Sequence, residues 1–319
     1  MSEAVVETQA LTKKYGEFVA LDQLSISLQR GQILGFIGPN GAGKTTAIKI
    51  LVGLARPTAG QARIAGVDCV REARKIKHLV GYMPDRFGSY DNMRVREYLD
   101  FFGAAFKIPW QRRRQRIDQV LETTGSTYMA DRFVETLSHG MQQRIGIART
   151  LLHDPEVLIL DEPANGLDPQ ARIEMRELLL HLAAMGKTLI VTSHILPELS
   201  RICDRVAILT HGRLRASGTM DEIMTQVRQK RLIEVQLPNH AQFQQASQTL
   251  AQALGDHAAV VPSEAEAILR FETDRPDDDL GRVLALLVSS GIRVSQFRAV
   301  VSDLEDAFLN VTRSEADAA

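Results

Sequence analysis

The sequence predicts an α/β fold over most of its length, a parallel sheet with flanking helices, followed by a smaller α+β domain. Three observations predict it. Up to about residue 225, short apolar runs that read as buried strands alternate with helical stretches. A glycine-rich turn joins one of these strands directly to a helix. After about residue 226 the strand and helix order changes, and so does the charge.

The elements follow in chain order. Residues 5–11 and 24–28 alternate apolar and polar side chains, as half-buried strands do. Ile33-Leu34-Gly35-Phe36-Ile37 is a short apolar run closed by Gly38-Pro39-Asn40-Gly41, a buried strand entering a turn. Residues 45–54 have helical spacing, and 94–150 read as mostly helical with breaks near Pro109 and Gly125. Val157-Leu158-Ile159-Leu160 is another fully apolar strand. Residues 170–185 form an amphipathic helix with Leu178, Leu179 and Leu182 on its apolar side. Leu189-Ile190-Val191 and Val206-Ala207-Ile208-Leu209 are further strands. Strands alternating with helices imply a parallel sheet, and ligands bind at the carboxyl ends of such strands.

The second part reads as strand 232–237, helix 240–254, strands 258–262 and 267–272, helix 277–289 and strand 292–300. That β-α-β-β-α-β order is the split βαβ, ferredoxin-like pattern. A last helix is expected over 303–310.

Composition narrows the function classes. The chain has 319 residues, 45% of them hydrophobic and 24% charged, which is globular rather than disordered. Its formal net charge of −1 argues against a nucleic-acid binder held by bulk positive charge. Residues 231–319 hold 7 Lys and Arg against 14 Asp and Glu, so the preceding part is basic, which suits phosphate ligands or an anionic membrane face. Cys69 and Cys203 are far apart and form neither a disulfide framework nor a zinc pattern. No run of ~18 apolar residues occurs, so no helix is expected to span a bilayer, and the first residues are not a secretory signal. The expectation is a cytosolic chain that reaches a membrane through a partner.

The chemistry concentrates at three strand ends. Gly38-Pro39-Asn40-Gly41-Ala42-Gly43-Lys44-Thr45 fits G-x-x-x-x-G-K-[ST] between a strand and a helix, the context that separates a phosphate-binding loop from a chance glycine-rich turn. Glycines let backbone amides aim at phosphate oxygens, and the helix N-terminus adds favourable dipole potential. Lys44 supplies a point charge, the Thr45 hydroxyl suits Mg²⁺, and Thr46 completes the nucleotide-facing run. Asp161 and Glu162 end the strand at 157–160 and point to opposite sides. Asp161 is the candidate magnesium ligand and Glu162 the candidate general base for an attacking water. Thr192-Ser193-His194 ends a third strand at the same sheet edge, within possible reach of a γ-phosphate.

Together these residues resemble the nucleotide-binding subunit of an ATP-binding cassette transporter, over about residues 5–225. The specific mark is Leu137-Ser138-His139-Gly140-Met141-Gln142-Gln143-Arg144, which is similar to the family signature Leu-Ser-Gly-Gly-Gln. The resemblance implies a P-loop ATPase core with antiparallel β and helical subdomains, the latter at about 86–155 of a nucleotide-binding domain 1–225, followed by an accessory domain 226–319. It implies ATP and Mg²⁺ as cofactors. It assigns Tyr15 to stacking on adenine, Asp168 in Asn165-Gly166-Leu167-Asp168 to the D-loop, and His194 to the switch histidine. It sets Asp85 where the family usually has Gln, as a possible magnesium contact. Ser138 and Gly140 would bind the ATP of a second cassette, a copy of this chain or a paralogue. The sequence departs from the signature at His139 and Met141.

The tail Leu304-Glu305-Asp306-Ala307-Phe308-Leu309 resembles the extension of the ABC-2 export type, whose membrane-spanning permease is a separate chain. A role of that tail in dimer contact or regulation is a hypothesis. The implied location is the cytoplasmic face of the cell membrane, with no nucleic-acid partner. Cassette ATPases that act on ribosomes usually carry two cassettes, and those of DNA repair carry long coiled-coil insertions, whereas one P-loop and no heptad run are found here. Finally, Arg112-Arg113-Arg114-Gln115-Arg116 beside Trp110 reads as a solvated helix face, with contact to anionic lipid headgroups as the sharper alternative.

Overall fold

The computed structural model describes residues 4–85, 92–194, 199–227, 231–255, 260–263, 266–273 and 275–300. It divides into two compact units, Met1–Met220 and Asp221–Ala319. In chain order the first runs β1 (Ala4–Tyr15), β2 (Phe18–Gln29), β3 (Ile33–Ile37), α1 (Lys44–Leu51), β4 (Ala59–Ile64), β5 (Val67–Asp68), α2 (Ala73–Leu79), β6 (Val80–Met83), α3 (Val95–Ala105), α4 (Trp110–Thr123), α5 (His139–Leu151), β7 (Val157–Leu160), α6 (Pro169–Ala184), β8 (Thr188–Ser193), β9 (Arg205–Thr210) and β10 (Arg213–Gly218). Helix α7 (Met220–Val227) follows.

The central sheet has the order β10-β9-β3-β8-β7-β6. Every residue of β3, β7 and β8 is buried, as befits parallel strands covered on both faces. The parallel register matters for function. Ile37 lies beside Ser193, Leu160 beside Val191, and Met83 beside Leu160. The residues that follow these strands, namely Gly38, Asp161, His194 and Asp85, therefore emerge along one sheet edge. Strand β10 closes the far edge antiparallel to β9.

A second sheet, β2-β1-β4-β5, is antiparallel. Its β1–β2 hairpin turns so tightly that Tyr15 pairs with Phe18. The apolar faces of this sheet and of β3 and α1 share one core that includes Leu11, Leu21, Phe36, Ile48 and Ile64.

The helical stretch expected over 94–150 is three helices, and the break after α4 is longer than a single glycine suggests. Gly125 takes φ +62°, two short 3₁₀ turns follow, and α5 starts only at His139, capped by Ser138, whose hydroxyl accepts the Met141 N–H at 3.4 Å. The arginine run of α4 is divided. Arg113 makes a forked pair with Asp100 at 2.8 and 3.3 Å, and Arg116 donates to the terminal carbonyls of Leu151 and Leu152. Two of the four arginines thus act within the fold, while Arg112 and Arg114 are exposed.

The second unit holds β11 (Arg231–Gln236), α8 (Phe243–Leu254), β12 (Val260–Ser263), β13 (Ile268–Thr273), α9 (Asp277–Ser289) and β14 (Gln296–Val300). Its antiparallel sheet has the order β12-β13-β11-β14, the split βαβ arrangement expected from sequence. Alternation along β11 sends Ile233 and Val235 into a core with Leu250, Phe271 and Leu287. Glu234 faces the other way, buried between Arg270 and Arg298 at 3.0 and 2.7 Å. The helix expected over 303–310, and Leu304 to Leu309 within it, lie outside the described residues.

Candidate functional site

The turn between β3 and α1 is built on glycines that no other residue could replace. A Cβ on Gly38 would lie 2.3 Å from the Leu209 carbonyl oxygen. Gly43 takes φ +105° and would bring a Cβ to 2.6 Å from the Ala20 carbonyl oxygen. The turn lays Pro39 to Thr46 around a cavity of about 290 Å³, which Asp85, Asp161 and Glu162 complete. At its inner wall Lys44 is 6% exposed. Its ammonium donates to the Gly38 carbonyl and to that of Pro39 at 3.4 Å, and faces Glu162 Oε1 at 3.7 Å. Burial pulls the Lys44 pKa below its ordinary value, while Glu162 and Asp161 hold it up. A phosphate arriving in this cavity competes for that ammonium with one carboxylate and two carbonyls.

The end of β7 is organised by a residue of β8. Thr192 is fully buried; its hydroxyl donates to Asp161 Oδ1 at 2.7 Å and accepts the Glu162 N–H at 2.8 Å. One side chain thereby fixes both acids. Glu162 sits at φ +52°, in the left-handed region that a non-glycine residue seldom adopts, and its backbone needs that anchor. Glu162 Oε2 meets His194 Nδ1 at 2.9 Å. Burial pushes the Asp161 pKa up; the Thr192 hydroxyl opposes this, the charges of Glu162 and Asp85 add to it, and Lys44 lowers it.

Three carboxylates and one ammonium therefore line the cavity. A hydroxyl on Thr45 and carboxylates on Asp161 and Asp85 are hard oxygen donors, which fit Mg²⁺ better than a softer metal. Among the described residues no three His, Cys, Asp or Glu side chains form a ready-made metal cluster. An ion that keeps several waters and shares nucleotide oxygens fits such a donor set.

The signature residues gather elsewhere. Ser138, His139, Gly140 and Asp168 line a separate cavity of about 240 Å³, which has no lining residue in common with the first. Asp168 accepts the Ala171 N–H at 2.9 Å and caps α6, as Ser138 caps α5. Tyr15 is half exposed, with Lys13 Nζ 4.8 Å above its ring, and it does not line the phosphate cavity. Its hairpin partner Phe18 does, and so does Ala20. The sequence assigned no role to Phe18 or to the buried Thr192; the first needed the hairpin register and the second the β7–β8 pairing.

Comparison with known proteins agrees with this geometry. The ABC transporter family profile matches residues 21–165. The probable multidrug ABC transporter ATP-binding protein of Escherichia coli K12 is 38% identical over 227 residues, 70% of this chain. That match spans 39% of the relative's own length. The bacitracin transport ATP-binding protein of Bacillus licheniformis is 36% identical over 308 residues, 96% of this chain and 97% of that protein. A solved ATP-binding subunit of an ABC transporter superposes with a TM-score of 0.63 at 30% identity, covering 70% of this chain and 92% of that one. A dimeric bacterial ABC transporter cassette superposes with a TM-score of 0.61 at 25% identity, covering 67% and 98%. With its phosphate turn, its acid pair and its signature helix in these relations, the chain belongs to the family of ATP-binding subunits of ABC transporters.

Proposed function

We propose that this chain is the ATP-hydrolysing engine of a membrane exporter whose membrane-spanning permease is a separate polypeptide. Two cassettes, either two copies of this chain or this chain and a paralogue, close on two ATP molecules and part after hydrolysis to ADP and phosphate. The observation that carries the reading is the separation of the two half-sites. Phosphate-binding residues line one cavity, and Ser138, Gly140 and Asp168 line another, which supports a reading in which a second chain brings them together.

In this reading the amides of 39–46 and Lys44 hold the phosphates, and Glu162 takes a proton from the attacking water. His194 holds the Glu162 carboxylate in position and meets the γ-phosphate. When bound, Mg²⁺ would neutralise phosphate charge, held by Thr45 and Asp161, with Asp85 joining through water. Tyr15 and Phe18 flank the adenine end. Export is supported by the name of another relative, a Nod factor export ATP-binding protein of Ralstonia nicotianae that is 40% identical over 225 residues. No helix among the described residues is long and apolar enough to cross a membrane. In this reading the chain works at the cytoplasmic membrane face, held there by the permease. Residues 1–225 would act as the nucleotide-binding domain, with its helical subdomain at about 86–155, and 226–319 as an accessory domain.

Steady-state phosphate release measured against protein concentration tests the reading. The rate per chain is expected to rise with concentration and to collapse in Ser138→Arg. A rate per chain that is independent of concentration and indifferent to Ser138 would overturn it.

A further inference from the structure

The signature carries a histidine where the family usually has glycine, and the structure gives that histidine a specific partner. His139 Nε2 lies 2.9 Å from the carbonyl oxygen of Asn165. A carbonyl only accepts, so the ring must donate from Nε2. The ring also rests against Gly166, where a Cβ would stand 3.6 Å from both Cδ2 and Nε2. Gly166 takes φ +70°, so the chain turns beneath the ring at a position that favours glycine.

The partner carbonyl belongs to the turn that leaves the catalytic acid. The Asn165 N–H donates to the Glu162 carbonyl at 3.1 Å, and the Leu167 N–H to that of Ala164 at 3.3 Å. On the other side, His139 directly follows Ser138, the residue that caps α5. An unbroken set of bonds thus runs from the Glu162 backbone through Asn165 to the His139 ring and on to Ser138. Glu162 lies on the wall of one cavity and Ser138 on the wall of the other. With glycine at 139 this side-chain link would not exist.

We propose that His139 is a positioning residue that couples the chain's own catalytic carboxylate to its own signature serine. Resting on the two-cassette reading above, this makes each chain report the state of its own ATP to the ATP bound in the opposite half. When a γ-phosphate draws Lys44 away from Glu162, any shift of the Glu162 backbone reaches Ser138 through the Asn165 turn and the hydrogen bond from the His139 ring. The same bond keeps the N-terminus of α5 aimed for the partner's phosphate before the pair closes.

The test uses the full chain carrying Glu162→Gln, which is expected to bind ATP without turning it over. ATP-dependent pairing is measured by sedimentation, and ATP affinity by titration of dilute, monomeric protein. Adding His139→Ala is expected to weaken pairing about tenfold, equivalent to about 1.4 kcal/mol, while monomer ATP affinity and the thermal midpoint stay unchanged. His139→Gln, whose amide can still donate, is expected to recover most of the loss. Pairing unaffected by His139→Ala would overturn the proposal. So would a loss of ATP affinity and thermal stability in step with pairing, or a glutamine variant no better than alanine. If the Glu162→Gln parent itself stays monomeric with ATP, the two-cassette reading fails and the role of His139 falls with it.

Discussion

Glu162 and His194 meet with 2.9 Å between Oε2 and Nδ1, while the other carboxylate oxygen faces Lys44 at 3.7 Å. One carboxylate is thus shared between a ring that can orient it and a cation that a phosphate can claim. A general base needs a held orientation and a proton-accepting oxygen, and this arrangement supplies both. Glu162→Gln keeps the shape and removes the basicity. Phosphate release is expected to fall roughly 10²- to 10⁴-fold, with ATP affinity preserved. A variant that turns over normally would show that another group takes the proton.

Thr192 bridges Asp161 and the Glu162 amide from a fully buried position. Thr192→Val matches its shape and strands both partners. The expected cost is about 1–3 kcal/mol, read as a thermal midpoint lowered by roughly 2–4 °C per kcal/mol. Turnover should fall as well, because Glu162 is anchored at φ +52° by the same hydroxyl.

Phe18 lines the phosphate cavity although it is 64% exposed. Stacking of a base on an aromatic ring is worth about 1–3 kcal/mol, and every base has a π-face. Phe18→Ala is expected to raise KM for ATP and for GTP by about fivefold or more, with kcat unchanged at saturation. Steady-state kinetics with both nucleotides checks this, and a fall in kcat alone would count against it.

Much of this site was legible because its signals are local. A glycine-rich turn, a lysine and a threonine between one strand and one helix need only adjacent residues, and the apolar run before Asp161 announces a buried strand. The elements that escaped lack such signals. Strand β4 buries only Ala62 and Ile64 and presents Gly60, Gln61 and Arg63 to solvent, and helix α2 buries only Ile76. Thr192 and Phe18 act through pairings between strands, and His139 reaches a carbonyl 26 positions along the chain. No local pattern encodes those contacts. The Asp85 substitution is legible, and Asp85 lines the phosphate cavity.

The second unit has its own pH signature. Glu234 is buried between two arginines; hydrogen bonds from Arg298 and Arg270 hold its carboxyl below the usual range against the opposing effect of burial. The unfolded chain therefore takes up this proton at a higher pH than the folded one. The contribution to stability is full above the unfolded value and is lost as pH falls from about 5 through the folded value. Denaturation of the full chain between about pH 3 and 6 should show this loss in the transition of residues 221–319. Glu234→Gln should be less stable at neutral pH and respond less to acid. Equal acid sensitivity in the two proteins would contradict the assignment.

A membrane partner supplied by another chain is central to the proposed function. The direct measurement is affinity capture of this protein from mildly solubilised membranes of the source cell, with mass spectrometry of what comes with it. A multi-span membrane protein recovered in stoichiometric amount, and retained by the Glu162→Gln variant with ATP, is the expected result. Recovery of ribosomal or DNA-bound proteins without any membrane protein would contradict it.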